Sequence, residues 1–90
     1  MYKISNTGQF KKDFKLITKR NYDLSKLEKV INLLIIVDEL PEKYKEHPLK
    51  HSKEKIIDCH ISPDWILLFK RDLSEKLITL IRTGTHSDLF

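Results

Sequence analysis

The sequence contains a single cysteine, only two glycines and three prolines, and no long apolar run. One cysteine cannot form an internal disulfide bond, and the sequence has no CxxC motif or Cys/His metal framework, so a reducing cytoplasm is the expected compartment. So few glycines and prolines exclude collagen-like and low-complexity chains. With 40% hydrophobic and 33% charged residues, the composition is that of an ordinary soluble domain.

The lack of long apolar runs excludes two further classes of protein. The longest run, residues 33–37, is far too short to cross a bilayer, and residues 1–5 lack the apolar core of a signal peptide. A chain of 90 residues has too little interior for two hydrophobic cores. We therefore expect one domain over residues 1–90, without contact to a membrane.

Positive charge is concentrated in two segments of this chain, whose formal net charge is +4. Residues 1–20 carry six basic side chains against Asp13 alone, and residues 43–55 carry five lysines against two glutamates. Clustered lysines suit a polyanion such as RNA, or an acidic protein. Taken alone, however, this charge pattern is better explained by solvated helix faces.

Residues 8–20 have the spacing of an amphipathic helix, in which every third or fourth side chain is apolar. Asn6 or Thr7 can cap its first turn, because a side-chain oxygen there can accept an unpaired amide proton. The apolar stripe, which is expected to lie in the core, consists of Phe10, Phe14 and Ile17.

A second helix is predicted to begin at a cap provided by Asp23 or Ser25 and to stop near Glu39. Pro41 sets that limit, because proline disfavours helical geometry in the residue before it. The turn between the two helices is tight, so we expect a helical hairpin.

Strand patterns occur in four other segments: residues 2–5, 55–61, 65–69 and 76–82. In the second segment, alternation places Asp58 and His60 on one face and Cys59 on the other. The third is continuously apolar, as in a central strand that is covered on both faces. The order β-α-α-β-β-β predicts an α+β domain, in which the helical hairpin packs on one face of a small twisted antiparallel sheet.

Polar side chains surround the joint between the second and third predicted strands, at Ser62. Asp58 and His60 emerge on the same face and can share a hydrogen bond, and Asp64 starts the next strand. Alone, this pattern is more typical of a surface pair than of a site. Trp65 shifts the balance slightly towards a site, because a tryptophan beside a polar turn often keeps one wet edge.

The C-terminal segment supplies three further candidates. Arg82 can clamp a phosphate, because its planar fork matches paired oxygens, or it can pair with Asp58 or Asp64. His86 is either a loose, exposed tail histidine or one that is held in place. If Phe90 packs back onto the domain, as its apolar side chain favours, His86 is held.

Two other chemistries are not expected. His47 and His51 have the spacing of metal ligands on a helix, yet Pro48 follows His47 directly and the segment has no helical pattern. Cys59 faces away from His60 in the predicted strand, so they are not expected to form a nucleophilic pair. We therefore predict no metal site and no other cofactor.

Three blocks of residues resemble one known family: residues 44–49, 58–67 and 82–90. Together with residues 8–13, they are similar to the YafQ family, a branch of the RelE/ParE superfamily of type II toxins. The resemblance is specific, because the spacing of all three blocks matches and the likeness spans the whole chain.

The resemblance implies an mRNA interferase, a metal-independent endoribonuclease that cuts messenger RNA in the ribosomal A site. It also implies a cognate antitoxin, which neutralises the toxin and through which the complex binds operator DNA. On this sequence the implied catalytic residues are His47, His60, Asp64 and His86. The implied supporting residues are Asp58, Trp65, Arg82 and Phe90, and we expect Lys50 and Lys53 to bind RNA through their charge.

The chemistry of RNA cleavage suits these residue types. The RNA 2′-hydroxyl can attack the adjacent phosphate and leave a 2′,3′-cyclic phosphate and a 5′-hydroxyl, which needs a base, an acid and positive charge. Histidine can serve as either base or acid near neutral pH. We expect His86 to be the acid and His47 or His60 the base. Asp64 would orient an imidazole or the RNA, and Arg82 and nearby lysines would bind phosphate.

Two other functions stay open at the level of sequence. A gyrase-poisoning toxin of the ParE branch shares the fold but acts through protein contacts, without acid–base residues. A basic binding module docks nucleic acid or an acidic partner without cutting it, and it predicts that His47, His60 and His86 lie far apart. In either toxin, we expect the antitoxin to fold an acidic, partly disordered segment onto the basic surface.

Overall fold

The computed structural model describes every residue, Met1–Phe90. Its elements in chain order are β1 (Lys3–Asn6), α1 (Gly8–Lys19), α2 (Leu24–Ile36), a 3₁₀ turn (Glu42–Tyr44), β2 (His47–Pro48), β3 (Ile57–Ser62), β4 (Trp65–Asp72), β5 (Leu77–Gly84) and α3 (His86–Leu89). The 3₁₀ turn, β2 and α3 are short elements that the sequence patterns did not predict. No helix is both long enough and apolar enough to span a membrane.

The five strands form one sheet in the order β1-β5-β4-β3-β2. All pairs from β2 to β5 are antiparallel, as the predicted fold requires. β1, however, is parallel to β5, so the expectation of a wholly antiparallel sheet is wrong. Both helices and three strands separate β1 from β5 along the chain, and so long a connection permits either direction. The predicted α+β class with a helical hairpin is confirmed.

The helices pack on one face of the sheet, where 15 buried side chains form one core cluster. Its fully buried members from the helices and from β4 include Ile17, Leu34, Leu67 and Phe69. On the opposite face of β4, Ile66 and Leu68 are only 2% and 5% exposed. This confirms the prediction of a central strand that is buried on both faces.

The buried face of α1 differs from the predicted apolar stripe. Phe10 and Ile17 are buried as expected, but Phe14 is 39% exposed, so its predicted core position is wrong. Asp13 is buried instead, at 6% exposure. The reason is that Asp13 accepts two hydrogen bonds from Arg82 of β5, which turns this side of the helix towards the sheet.

The helix caps follow the sequence closely. Thr7 accepts a hydrogen bond from the amide of Phe10 at 3.0 Å, and Asp23 accepts one from the amide of Ser25 at 3.1 Å. These contacts satisfy amide groups that have no partner within the helix. Of the two caps predicted for each helix, the structure uses Thr7 and Asp23.

α2 stops at Ile36, before its predicted end near Glu39. Val37 is already extended, with φ −107° and ψ 155°. The amide of Tyr2 donates to the carbonyl of Ile35 at 2.9 Å, so the segment leading into β1 satisfies a carbonyl of the last turn. A tertiary contact, rather than the proline further on, sets the end of the helix.

A buried ion pair fixes the segment that leads into β2. The two carboxylate oxygens of Glu46 accept hydrogen bonds from Arg71 of β4 at 2.8 and 3.0 Å, and one also accepts from the amide of Leu40. Burial alone would raise the pKa of Glu46, but the hydrogen bonds from Arg71 hold it below its ordinary value. His47 follows directly, so this pair fixes where its backbone lies.

Replacing Glu46 with alanine should destabilise the fold by about 3 kcal/mol, because the Arg71 side chain, only 7% exposed, then lacks its carboxylate. Glu54→Ala is the matched control, since Glu54 is 69% exposed and lies 3.8 Å from Lys70. That variant should lose no more than about 0.5 kcal/mol. Urea denaturation measures both, and equal free energies of unfolding for the two variants would contradict a structural ion pair.

Acid should destabilise the protein partly through the same carboxylate. The folded-state pKa of Glu46 is lowered, so its contribution is complete above the unfolded-state pKa of about 4.3 and is lost as the pH falls through the folded-state value. We expect the free energy of unfolding of Glu46→Gln to fall less between about pH 5 and about pH 3 than that of the unsubstituted protein. Urea titrations test this, and parallel pH profiles would show that Glu46 does not contribute.

Candidate active site

A row of four register partners crosses the sheet from β2 to β5. His47 lies beside Asp58, Asp58 beside Leu68, and Leu68 beside Arg82. Neighbouring strands are about 4.8 Å apart, so the backbone positions in this row extend over about 14 Å. Predicted site residues thus occupy three of the four positions, and the buried Leu68 fills the fourth.

A second row lies next to the first and joins His60 of β3, Ile66 of β4 and Gly84 of β5. His60 comes two residues after Asp58, so both project from the same face, as alternation predicted. The backbone of Gly84 lies two strand spacings, or about 10 Å, from that of His60. His86 begins α3 two residues after Gly84. His86 therefore follows the end of β5, two strands away from His60 in the sheet.

Asp58 lies between two imidazole rings. One carboxylate oxygen, Oδ2, is 3.8 Å from Nε2 of His47, and the other, Oδ1, is 3.8 Å from Nε2 of His60. Both distances are too long for a hydrogen bond, so the one expected between Asp58 and His60 is absent. The buried Oδ1 has no hydrogen-bond partner at all. An unpaired buried oxygen is unfavourable, which favours a proton donor at this position.

The other nitrogen of each ring contacts a backbone carbonyl. Nδ1 of His47 is 2.7 Å from the carbonyl oxygen of Lys45, and Nδ1 of His60 is 3.3 Å from that of Pro63. A carbonyl can only accept, so Nδ1 carries the proton in each bond, and Nε2 of the neutral ring keeps a free lone pair. The ring centroids are 6.5 Å apart. Nε2 of each ring therefore faces one oxygen of the same carboxylate.

Asp64 lies at the rim of this group. It is exposed in the turn between β3 and β4 and forms no hydrogen bond or ion pair. The strand register shifts between His60 and Ser62, which is a bulge immediately before the turn. Bulges kink a strand and re-aim its side chains. Asp64 lies only four residues after His60 in the sequence, but no hydrogen bond or ion pair holds its carboxylate in place.

Trp65 belongs to the core. Its side chain is 4% exposed, its Nε1 donates to Oγ1 of Thr83 at 2.8 Å, and its ring meets Tyr22 edge-on at 4.9 Å. The prediction of a wet edge is wrong, because Thr83 satisfies the indole N–H inside the protein. Trp65 has no face open to a ligand, and its hydrogen bond to Thr83 joins β4 to β5.

Arg82 is oriented by a carboxylate, that of Asp13, which was not among the candidate site residues. Its Nε and Nη2 donate to the two oxygens of Asp13, each at 3.0 Å, so the expected pairing with Asp58 or Asp64 is wrong. Burial alone would raise the pKa of Asp13, but the hydrogen bonds, first that from Arg82, hold it below its ordinary value. Nη1 of Arg82 bonds to no protein group and stays available for a phosphate.

The sequence does contain a signal for Asp13. This residue lies three positions after Phe10 and four before Ile17, so it falls on the buried stripe of α1. A carboxylate on an apolar stripe is stable only when it has a buried partner. That rule predicts an ion pair for Asp13, although not the identity of its partner.

The short helix α3 is anchored through Asp88. The Thr85 side chain accepts from the Asp88 amide, and the Asp88 carboxylate accepts from the Thr85 amide, which is a capping box. Arg20, at the end of α1, donates two hydrogen bonds to Asp88 at 2.7 and 3.2 Å. Bonding to Arg20, and next to the Thr85 amide, holds the pKa of Asp88 far below its ordinary range.

His86 is exposed at the start of α3, where its ring contacts that of Phe90 at a centroid distance of 5.0 Å. Phe90 is 56% exposed, so the expectation that it packs back onto the domain is wrong. Gly84 permits the tight approach of α3, because a Cβ there would lie 2.9 Å from the Asp88 carboxylate. His86 is thus held in place, although by Asp88 rather than by Phe90.

Lys50 and Lys53 are exposed in the connection between β2 and β3. Neither forms an ion pair, whereas Glu54 in the same connection lies 3.8 Å from Lys70. The structure leaves both lysines available to a polyanion.

Cys59 faces the core and is fully buried, as alternation predicted. Burial, followed by the charge of Asp58, raises the pKa of its thiol to about 12. The thiol therefore stays protonated and is a poor nucleophile. No group of three or more histidine, cysteine or acidic residues is arranged to hold a metal ion. The chemistry that these residues themselves offer is proton transfer.

Comparison with known proteins identifies the family of this chain. Residues 2–90 match the family described as bacterial toxin of type II toxin-antitoxin system, YafQ. The chain belongs to the YafQ family. This membership confirms the resemblance carried by residues 44–49, 58–67 and 82–90.

Relatives resemble this chain over almost its whole length. The mRNA interferase toxin YafQ of Escherichia coli strain K12 is 47% identical over 88 residues, which are 97% of this chain and 94% of that protein. The E. coli DinJ-YafQ complex contains a chain with a TM-score of 0.89 at 46% identity, covering 100% of this chain and 99% of that one. The metal-bound toxin from Helicobacter pylori has a TM-score of 0.92 at 38% identity, covering 100% of both chains. These likenesses confirm the predicted RelE-like fold.

Weakening the anchor of α3 should loosen His86 with little effect on the rest of the fold. Asp88→Asn removes the charge that pairs with Arg20, and since these side chains are 24% and 38% exposed, the free energy of unfolding should fall by no more than about 1 kcal/mol. Amide exchange in residues 86–90 should nevertheless accelerate, as measured by NMR. Asp64→Asn, which removes an unpaired carboxylate, is the control. Unchanged exchange in the tail of Asp88→Asn would show that the anchor lies elsewhere.

Proposed function

We propose that this protein is an mRNA interferase, the toxin of a type II toxin–antitoxin system, and that it cuts messenger RNA in the ribosomal A site. Support comes from membership of the YafQ family and from E. coli relatives named mRNA interferase toxin YafQ. The observation that carries the proposal is the pair of imidazoles, His47 and His60, on either side of the buried carboxylate of Asp58. Two proton carriers on a rigid sheet suit acid–base cleavage of RNA.

The proposed reaction starts at the 2′-hydroxyl of the nucleotide before the scissile phosphate. A general base removes the proton of this hydroxyl while its oxygen attacks phosphorus. The bond from phosphorus to the 5′-oxygen of the next nucleotide breaks, and a general acid gives that oxygen a proton. The products are a 2′,3′-cyclic phosphate and a 5′-hydroxyl. Neither a metal ion nor another cofactor takes part in this scheme.

We assign the base to His60 and the acid to His86. In the neutral ring of His60, Nε2 keeps its lone pair because Nδ1 contacts the carbonyl of Pro63. The second row leads from His60 over the buried Ile66 to Gly84, after which α3 presents His86. A phosphate above Ile66 would lie between the base and the acid.

Charged neighbours support these two groups. Asp58 lies close to both His47 and His60, so its charge stabilises whichever of them takes up a proton. Arg82 is oriented by Asp13 and offers its free Nη1 to the phosphate.

The remaining predicted residues act around this centre. Asp64 orients the RNA or an imidazole from the turn. Trp65 holds β4 to β5, and Phe90 packs on the ring of the acid. Lys50 and Lys53 attract the RNA backbone from the connection beside His47's strand.

The expected protein partner is a cognate antitoxin. Among the relatives, YafQ of E. coli forms a toxin–antitoxin complex with DinJ. A net charge of +4 on this chain suits an acidic antitoxin segment that folds onto it. The complex would bind operator DNA through the antitoxin, whereas the free toxin would meet the ribosome.

The two other functions have less support. Gyrase poisoning would need none of the acid–base residues, yet His47 and His60 lie against a shared carboxylate. A binding module would scatter the histidines, yet the rings of these two are 6.5 Å apart. Cleavage of mRNA in programmed ribosomes, set beside DNA cleavage by gyrase, separates the three functions directly.

His86→Ala should abolish growth arrest and lower the rate of mRNA cleavage about 10²- to 10⁴-fold, which is the usual contribution of a general acid. Cleavage is followed by mapping RNA ends on programmed ribosomes, with free mRNA as a parallel sample. Ser87→Ala, at the next exposed position of α3, is the matched control and should retain activity.

Circular dichroism and urea denaturation establish that both variants fold, since neither side chain is buried. Unchanged cleavage by a folded His86→Ala protein would refute the assignment of the acid. RNA ends without a cyclic phosphate or 5′-hydroxyl would refute the reaction itself.

A further inference from the structure

A basic cleft opens beside the candidate active site. It has a volume of about 540 Å³ and lies between α2, the 3₁₀ turn and the turn that joins β3 to β4. The titratable residues that line it include Lys26, Lys29, Lys43, Lys45 and His60, and no carboxylate residue is among them. Lysines around a concave surface create a positive field that attracts polyanions.

No salt bridge neutralises the lysines of this cleft. None of its four lysines takes part in an ion pair. Asp23, at the start of α2, is hydrogen-bonded to Ser25, and its charge interacts with that of Lys26 only at longer range. The Lys43 ammonium lies 5.1 Å above the ring of Tyr44, and Lys45 has a left-handed backbone with φ +50°. Such a backbone persists only where the surrounding structure holds it, so the backbone position of Lys45 is set by the fold.

We propose that this cleft binds the phosphate backbone of the mRNA next to the scissile phosphate, chiefly through Lys26 and Lys29. The proposal rests on the proposed function. His60 belongs both to the cleft and to the candidate active site. The elements that form the cleft contact β3, whereas α3 contacts β5. An RNA strand that passes between His60 and His86 therefore continues over the lysines.

The location of the cleft favours RNA over an acidic protein segment as its occupant. RNA that is cut must pass the ring of His60, and it carries a negative charge at every nucleotide on both sides of that ring. A protein segment can neutralise the lysines without reaching this ring. Lys26 and Lys29 are three residues apart on α2, so they project side by side and can follow consecutive phosphates.

The test compares two double variants of equal charge. Lys26→Ala/Lys29→Ala removes the proposed contacts, and Lys11→Ala/Lys15→Ala removes two exposed lysines one turn apart on α1. Equilibrium binding is measured to ribosomes programmed with mRNA that lacks the 2′-hydroxyl at the scissile nucleotide, so no cutting intervenes. We expect the first variant to bind about tenfold more weakly, with a salt slope shallower by about 1.4. The control variant should bind like the unsubstituted protein, and equal losses in both would overturn the proposal.

A second measurement identifies the group that the lysines contact. Phosphates on each side of the scissile position are replaced in turn by neutral methylphosphonates. On one side, this change should weaken binding of the unsubstituted protein but have little further effect on Lys26→Ala/Lys29→Ala, because both remove the same contact. Additive losses on both sides would overturn the proposal, since the lysines would then contact another part of the ribosome.

A failure of the proposed nuclease function gives a different result from a failure of the proposed RNA site. Unmodified mRNA that stays intact with the unsubstituted protein refutes the proposed function, whatever the lysines bind. Unchanged mRNA binding by Lys26→Ala/Lys29→Ala, together with weaker antitoxin binding, overturns the RNA site and assigns the cleft to the antitoxin. The lysines are exposed, so urea denaturation should show the same stability for both double variants.

Discussion

The carboxylate of Asp13 joins the elements on which the candidate site depends. It accepts hydrogen bonds from the side chain of Arg82 and the amide of Thr83, while the Thr83 hydroxyl accepts from Trp65 and donates to the carbonyl of Ile66. β1 pairs only with the first half of β5, so the rest of β5 lies at an open edge. At that edge the Asp13 carboxylate accepts the hydrogen bond of the Thr83 amide, which a carbonyl of a further strand would otherwise accept. Loss of any member would leave a buried polar group unpaired, so the network acts as a unit.

This network makes α1 the support of the site as well as a wall of the core. Asp13 orients Arg82, and Arg20 at the end of the same helix anchors Asp88 in α3. A helix of one turn is not stable alone, because nucleation fixes several residues for one hydrogen bond. The position of His86 therefore depends on α1. The apolar stripe of this helix predicted only that it packs on the core. The tail is ordered by charge and capping, not by burial of its apolar end.

Local periodicity accounts for the parts of the site that were predictable. Alternation along β3 is enough to place Asp58 and His60 on one face, and it needs no knowledge of the rest of the fold. The partners of Arg82 and Trp65 were not predictable in this way, because Arg82 bonds to Asp13 across 69 positions of sequence. Neither the spacing of residues nor the composition of the sequence tells which carboxylate will pair with such a side chain. The parallel pairing of β1 is a long-range property of the same kind, whereas the family resemblance named the histidines without their geometry.

The openness of the proposed site fits a catalyst that acts on RNA held by a larger assembly. The side chains of His47 and His60 are 52% and 29% exposed, so water weakens their electrostatic interactions until a substrate covers them. Orienting a flexible RNA contributes a large part of the rate in acid–base catalysis, and an open sheet face cannot do this alone. The ribosome would provide that alignment. The toxin then needs a rigid pair of proton carriers and enough positive charge to reach the strand. If the cleft beside His60 binds the RNA as proposed, its lysines supply that charge next to the strand being cut.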